Sequence, residues 1–361
     1  MEYRTIDDGR NHRREMLVDG ELVCWLGVID YTMRIGAAQV RMAGIAGVET
    51  KEQHRKKGYM RHFFNDTLAY MQTEGYDVSM LFGIPDFYPK FGYATCLAEP
   101  SFTLKTRIAE TASMGAPKFT TRPITPADLP DVIALYERNN ATRACSLVRT
   151  PEYFTGFKKG SNWWRKAEST VILDDAGQFA GYIVWDKHDD EVIAIEIECV
   201  ADAFYPSVLA EFARLAIEKR AGLITFHMPL DHPFAIFAQR YGARWTAQYP
   251  IDARGMLRIM NQATLFDKLI PMLHQRASAL EPYTITLRTD IGETTLSHGQ
   301  AAHSVCAISL PQSRLMQLIC GYRNARDVLN DSGVTAQGDV LPLLDAVFPA
   351  GHAYTWVTDE F

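Results

Sequence analysis

"HRKKGYMRHF", residues 54–63, decides how this chain is read. Three consecutive cations, Arg55, Lys56 and Lys57, run into Gly58, and an apolar repeat then begins. Tyr59, Phe63, Phe64, Leu68 and Met71 recur at three- and four-residue spacing, which predicts an amphipathic helix stopping at Gly75. The cations therefore fall at a helix N-terminus. The first N–H groups of a helix lack internal partners, and the dipole there is positive. Such an end favours anions and disfavours cations. Two readings stand: a solvated basic face, or a loop that holds an anion, with Gly58 leaving room for it.

The flanks supply a frame for that loop. Residues 13–50 read as three strands, with Asp19-Gly20 as a tight hairpin signal. The third of these, "AQVRMAGIAGVET", holds Gly44 and Gly47 in its interior, where glycine marks a bulge or a close approach. "YDVSMLFG" (76–83) reads as a buried strand, "PDFYPKFGY" (85–93) as a short helix or turn ending at Gly92, and "ATCLAEPSFTL" as one returning strand. In a βαβ unit ligands sit at the carboxyl ends of parallel strands, which would bring Tyr88 near the basic loop. The bland reading makes Phe87, Tyr88, Phe91 and Tyr93 core aromatics. A buried tyrosine nevertheless needs a partner for its hydroxyl.

A second segment repeats this order. Residues 111–123 lack periodicity and read as a linker. A helix follows, with Thr125 or Asp128 as cap, then a three-stranded meander, a helix stopping at Gly222, a strand and a short helix ending at Gly242. It has no R-x-x-G loop, so it is not expected to bind the same ligand. A third region begins at "MLRIMN" (256–261) and carries a helix near 263–278, three strands and further helical segments. The fold class expected is mixed α/β (α+β): residues 1–115, 116–252 and 253–361 as three domains.

Composition narrows the function. The net charge is -6 over 361 residues. No strongly basic domain stands out, so nucleic acid is not an expected partner. No apolar run approaches the ~18 residues of a membrane span. Six cysteines lie far apart without a C-x-x-C pair and read as reduced thiols of a cytoplasmic protein, and the histidines form no metal-like cluster. Glu196 and Glu198 alternate with isoleucines, as solvent-facing strand positions do. "NWWRK" (162–166) reads as a packed domain interface or an exposed aromatic surface.

"GVET", Arg55 and Gly58 in the loop, and "FYPKFGY" beyond the next strand together resemble the GNAT N-acyltransferases. "HRKKGYM", "FYPKFGY", "MLRIMN", "LLDAVFP" and the final "DEF" further resemble, in order, the enhanced intracellular survival (Eis) acetyltransferases. That resemblance implies two tandem GNAT-like domains, the second without cofactor, followed by a sterol-carrier-protein-like domain. It implies acetyl-CoA as co-substrate, contacted by Val48, Glu49, Thr50, Arg55, Lys56, Lys57, Gly58, Tyr59, Met60, Arg61, Gly83 and Ile84. It implies Tyr88 as general acid and the terminal carboxylate of Phe361 as general base, without a metal. The acceptor would be the primary amine of a small cationic molecule or a lysine, and the assembly a homo-oligomer, trimer or hexamer. A catalytically reduced protein that binds CoA or an apolar ligand is the alternative. The departure from the family lies near the N-terminus: a GNAT domain opens with a strand and two helices, whereas only "YRTI" stands here as a vestige of that strand. The acceptor cleft is accordingly expected to be more open, or walled by another subunit.

Overall fold

The computed structural model describes residues 1–299 and 304–361. Its first sheet has seven strands in the order β1-β2-β3-β4-β5-β14-β6. β1 (Glu2–Asp8) holds "YRTI" and forms a hairpin with β2 (Asn11–Val18) across Gly9-Arg10. Two residues cannot form helices, so none stands between the first strand and the meander. β2 turns into β3 (Glu21–Ile35) at Asp19-Gly20, both at positive φ, as a tight hairpin with matching twist requires. β3 pairs with β4 (Ala38–Thr50). α1 (Tyr59–Thr73) then buries Phe63, Phe64, Thr67 and Met71 before β5 (Val78–Gly83) runs parallel to β4.

The expected single strand at 94–104 divides between two sheets. β6 (Ala94–Thr95) stays in the first; β7 (Glu99–Lys105) leaves it and pairs in the second with β12 (Leu223–His227) and β13 (Arg244–Gln248). The break follows from packing. Leu97 is pressed onto Gly255, where an added Cβ would lie 2.5 Å from its Cδ1. That glycine belongs to β14 (Arg254–Ile259), a strand from the third region, wedged antiparallel between β5 and β6. Two strands are thus exchanged between segments.

The second sheet has the order β13-β7-β12-β11-β10-β9-β8. It adds β8 (Thr120–Pro123), β9 (Ala167–Leu173), β10 (Phe179–Asp186) and β11 (Val192–Cys199). α2 (Thr106–Ala112) and β8 take up both ends of the stretch read as a linker. Thr125 and Asp128 form a reciprocal capping box ahead of α3 (Leu129–Asn139). α4 (Tyr205–Glu218) ends before Gly222, with Arg220 taking the left-handed turn at φ 55. α5 (Pro233–Gln239) follows β12.

In the third region α6 (Gln262–Arg276) precedes a four-stranded sheet, β16-β15-β17-β18. Its strands are β15 (Tyr283–Thr289), β16 (Gly292–His298), β17 (Ser304–Ser309) and a short β18 (Thr335–Gln337) that the sequence reading missed. His303, expected at the start of the third strand, lies outside the described residues. α7 (Gln312–Ile319), α8 (Ala325–Leu329) and α9 (Leu341–Val347) complete the region. One core joins it to the first sheet: Met33, Met42 and Met80 pack with Phe266, Leu269 and Leu315. All six cysteines are free and buried. Among the described residues no helix is long and apolar enough to cross a membrane.

Candidate active site

The site begins where β4 and β5 part. Their parallel pairing ends at Ile45 and Leu81. Beyond it β5 stays paired to β14 and β4 to β3, each on its other edge, while the edges that faced each other are no longer paired. A bulge drives the parting: the β3–β4 register shifts between Trp25 and Gly27, and Gly47 sits there at φ 57. Val48, Glu49 and Thr50 follow on one side of the gap, and Gly83 and the exposed Ile84 lie on the other. Backbone amides facing an open gap can hydrogen-bond a chain that carries amides of its own.

The basic loop closes one end of that gap. Glu21 braces its start, taking Lys51 at 3.3 Å, Gln53 at 3.0 Å and His54 at 3.3 Å. Lys56 at φ 61 and Gly58 at φ 81 alternate with ordinary residues, a pattern that turns successive N–H groups into a concavity. Gly58 is the N-cap of α1 and makes no side-chain cap bond. Its carbonyl accepts from Arg61 and His62. Tyr59 and Met60, half-buried, open the helix. Arg55, Lys56, Lys57 and Arg61 are exposed and make no ion pair among the described residues. Cations without an ion pair beside helix-opening N–H groups are chemically suited to hold an anion such as phosphate.

Tyr88 closes the other end. It opens a single helical turn, Tyr88–Phe91, that ends at Gly92 with φ 81. Its ring is buried against Phe64 of α1 at 5.6 Å and Phe87 at 5.0 Å. It also lies under Gly83, where an added Cβ would fall 2.5 Å from the ring. Burial raises the phenol above the ordinary tyrosine value. The hydroxyl has no hydrogen-bond partner among the described residues, although tyrosine normally finds one.

Phe361 reaches the same strand from the opposite face. Its ring stacks on Tyr31 at 4.9 Å, meets Phe82 edge-on at 5.5 Å, and covers Gly44. The close approach expected at Gly44 is thus made by the chain's own aromatic ring. An added Cβ would lie 2.8 Å from it and 2.7 Å from Tyr31. Gly44→Val is expected to cost about 1–3 kcal/mol through overpacking; an unchanged urea midpoint would contradict the packing. Tyr88 and Phe361 therefore touch adjacent residues of β5, Gly83 and Phe82, from its two sides.

The tail that delivers Phe361 is fixed along its length. Tyr354 donates its N–H to Ala144 at 2.9 Å, Thr355 its hydroxyl to Cys145 at 2.8 Å, and Trp356 its indole N–H to Asn140 at 2.9 Å. Asp359 lies 3.0 Å from Arg149, which also holds Glu196 bidentately at 2.6 and 2.7 Å. The expectation of a solvent-facing Glu196 and Glu198 is corrected here: both are buried. β11 is an interior strand covered by α4 on one face and by α3 and the tail on the other. Glu198 instead accepts from Asn139 at 2.6 Å and Asn140 at 2.8 Å. Sequence reading missed Arg149 and Asp359 as well. The usable signal was a carboxylate at every second position of a strand too apolar to be an edge.

Between the β5 end and the second sheet lies a cavity of about 570 Å³, lined among others by Phe82, Ile84, Glu99, Trp163 and Glu360. Trp163 is 61% and Trp164 94% exposed, so "NWWRK" is an exposed aromatic surface and not a packed interface.

Residues 7–96, spanning the first meander, the loop and Tyr88, match the family profile of the acetyltransferase (GNAT) domain. That stretch is therefore similar to a GNAT acetyltransferase domain. Solved structures share the fold along nearly the whole chain. A GCN5-related N-acetyltransferase from Kribbella flavida aligns with TM-score 0.72 at 17% identity, covering 97% of this chain and 88% of its own. A GCN5-related N-acetyltransferase from Anabaena variabilis aligns with TM-score 0.71 at 17% identity, over 97% and 89%. Eis1 from Mycobacterium abscessus aligns with TM-score 0.65 at 16% identity, over 99% and 92%. At these identities the likeness is one of fold. No curated protein matches the chain.

Proposed function

We propose that this protein is an acetyl-CoA-dependent N-acetyltransferase that acylates a primary amine. The observation that carries the reading is the open gap between β4 and β5, with unpaired cations at one end and the partnerless phenol of Tyr88 at the other. The loop Arg55–Arg61 would take the diphosphate on the first N–H groups of α1. Val48, Glu49, Thr50, Gly83 and Ile84 would line the pantetheine arm. A strand-end N–H would hold the oxyanion of the tetrahedral intermediate. Tyr88 would protonate the departing thiolate, whose thiol titrates near ~8.5; a phenol is protonated at neutral pH, and burial shifts Tyr88 further in that direction.

The α-carboxylate of Phe361 is the base we assign to the attacking amine, which must lose a proton to react. An α-carboxylate titrates near ~3.5 in water and is a weak base unless burial raises that value. The fixed tail supports the assignment. The Eis-like character, the cofactor-free second unit, the sterol-carrier-like third unit, the oligomer and the cytoplasmic setting belong to the same proposal.

Gly58→Glu tests the loop. It places a carboxylate where the diphosphate would sit, at a position whose added Cβ meets nothing within 4 Å. Acetyl-CoA affinity measured by calorimetry is expected to fall about 100-fold or more, because like charge meets a desolvated anion. Gly58→Ala, which shares the positive-φ strain of about 1–2 kcal/mol, is expected to keep most of the affinity. Equal binding by wild type and Gly58→Glu would refute the loop assignment. Deleting Phe361 is expected to abolish turnover with modest change in acetyl-CoA binding; normal acetylation by the shortened chain would remove the terminal base.

A further inference from the structure

The cavity beside the β5 end is balanced in charge. It holds two carboxylates among its lining residues, and each has a resident cation. Glu99 meets Arg254 at 3.2 Å, and Glu360 meets Lys159 at 2.8 Å. His227, also on the wall, has its pKa lowered by burial and is neutral at pH 7. A second ammonium entering this space would find both lining carboxylates already paired, Glu360 by Lys159 from outside the lining, and would lose water while facing Arg254.

Lys159 is held where it is by a built hairpin. Lys159 and Lys166 pair across it. The N–H of Ser161 and the guanidinium of Arg165 bind the buried Asp186 at 2.6 and 3.0 Å. Gly160 is needed for that seating, since an added Cβ would fall 2.5 Å from the Asp186 carboxylate. The same hairpin presents Trp163 to the cavity, with the Lys159 ammonium 4.2 Å from the indole ring centre. The remaining walls include apolar Phe82, Leu97 and Val357. An exposed indole facing a charge-balanced, partly apolar space is a stacking surface for a flat or apolar group.

We propose that this cavity takes a monoamine with an aromatic or apolar body, stacked on Trp163, and discriminates against polycations, with Lys159 setting the choice by occupying Glu360. The inference rests on the acetyltransfer reading above.

The test compares phenethylamine with spermidine as acceptors. Thiol release from acetyl-CoA gives kcat/KM for the full-length wild type, Lys159→Met, Lys159→Arg and Trp163→Ala, and acetyl-CoA titration reports that each is folded. The wild type is expected to favour phenethylamine by about tenfold or more, and Lys159→Met to move the ratio toward spermidine by about tenfold. Lys159→Arg is expected to restore the wild-type ratio. Trp163→Ala is expected to lower kcat/KM for phenethylamine by about tenfold, more than it lowers that for spermidine. A wild type that prefers spermidine, or a ratio indifferent to Lys159→Met, overturns the proposal. Tryptophan-fluorescence titration with both amines in the presence of CoA separates the two readings. Preferential phenethylamine binding that depends on Trp163, without turnover of any amine, upholds the cavity and refutes acetyl transfer. Absence of preference in binding and in turnover refutes the cavity.

Discussion

Tyr88→Phe is expected to lower kcat by about 10²–10⁴-fold, the usual range for a lost proton donor. Acetyl-CoA binding should hardly change, because the ring that packs against Phe64 and Gly83 is kept. The pH profile gives an independent check. The phenol works in its protonated form, and burial raises its pKa. Activity that depends on it is therefore present below that pKa and is lost as the pH rises through it. The wild-type alkaline limb from this group should lie above about 10, and Tyr88→Phe should lack it. Thiol release in stopped-flow, with amine saturating, measures both. Wild-type turnover in Tyr88→Phe would mean that solvent protonates the thiolate and that Tyr88 is only a wall.

The second large effect is on stability. Arg149 is fully buried and holds Glu196 and Asp359 together. Arg149→Met leaves two buried carboxylates without their cation, which is expected to cost about 3–5 kcal/mol. Methionine fills much of the same volume, so the loss reports charge and not a cavity. Its pH dependence has a definite sign. Burial already raises Glu196 in the wild type, and removing the cation raises it further. A carboxylate with a raised folded pKa is tolerated when protonated and costs stability as the pH rises. The deficit of Arg149→Met should therefore narrow as the pH falls toward the carboxylate range and be full at neutral pH. Urea unfolding across pH gives the curve, and a deficit independent of pH would refute this account. Asp359 lies two residues before Phe361, so the variant should also turn over more slowly than its folded fraction explains.

The loop was legible because its signal is local. A cationic run, a glycine and the onset of a 3.6-residue repeat describe a helix N-terminus with little help from the rest of the chain. The turn that carries Tyr88 was legible for a similar reason: it lies between Pro85 and Gly92 and follows a strand whose end is marked. Gly44 and Gly47 were both read as a bulge or a close approach; the bulge fell at Gly47, and what approaches Gly44 comes from the far end of the sequence. Glu196 and Glu198 misled, because alternation with isoleucine describes a two-faced strand equally well when its polar face is buried under a helix and a tail. Nothing local distinguishes a carboxylate met by water from one met by Arg149.

Sequence alone therefore determined features that lie within a few residues of one turn: the cationic loop, the helix it precedes, and the short aromatic turn that ends at Gly92. Tertiary structure decided which sheet each strand joined, sending Glu99–Lys105 to the second sheet and Arg254–Ile259 to the first. It also decided where Phe361 lies. The physical reason is that hydrogen-bonding strands and buried charges are satisfied by whatever partner the packing supplies, however far along the chain it stands: Gly83 pairs with Arg254, and Arg149 with Asp359.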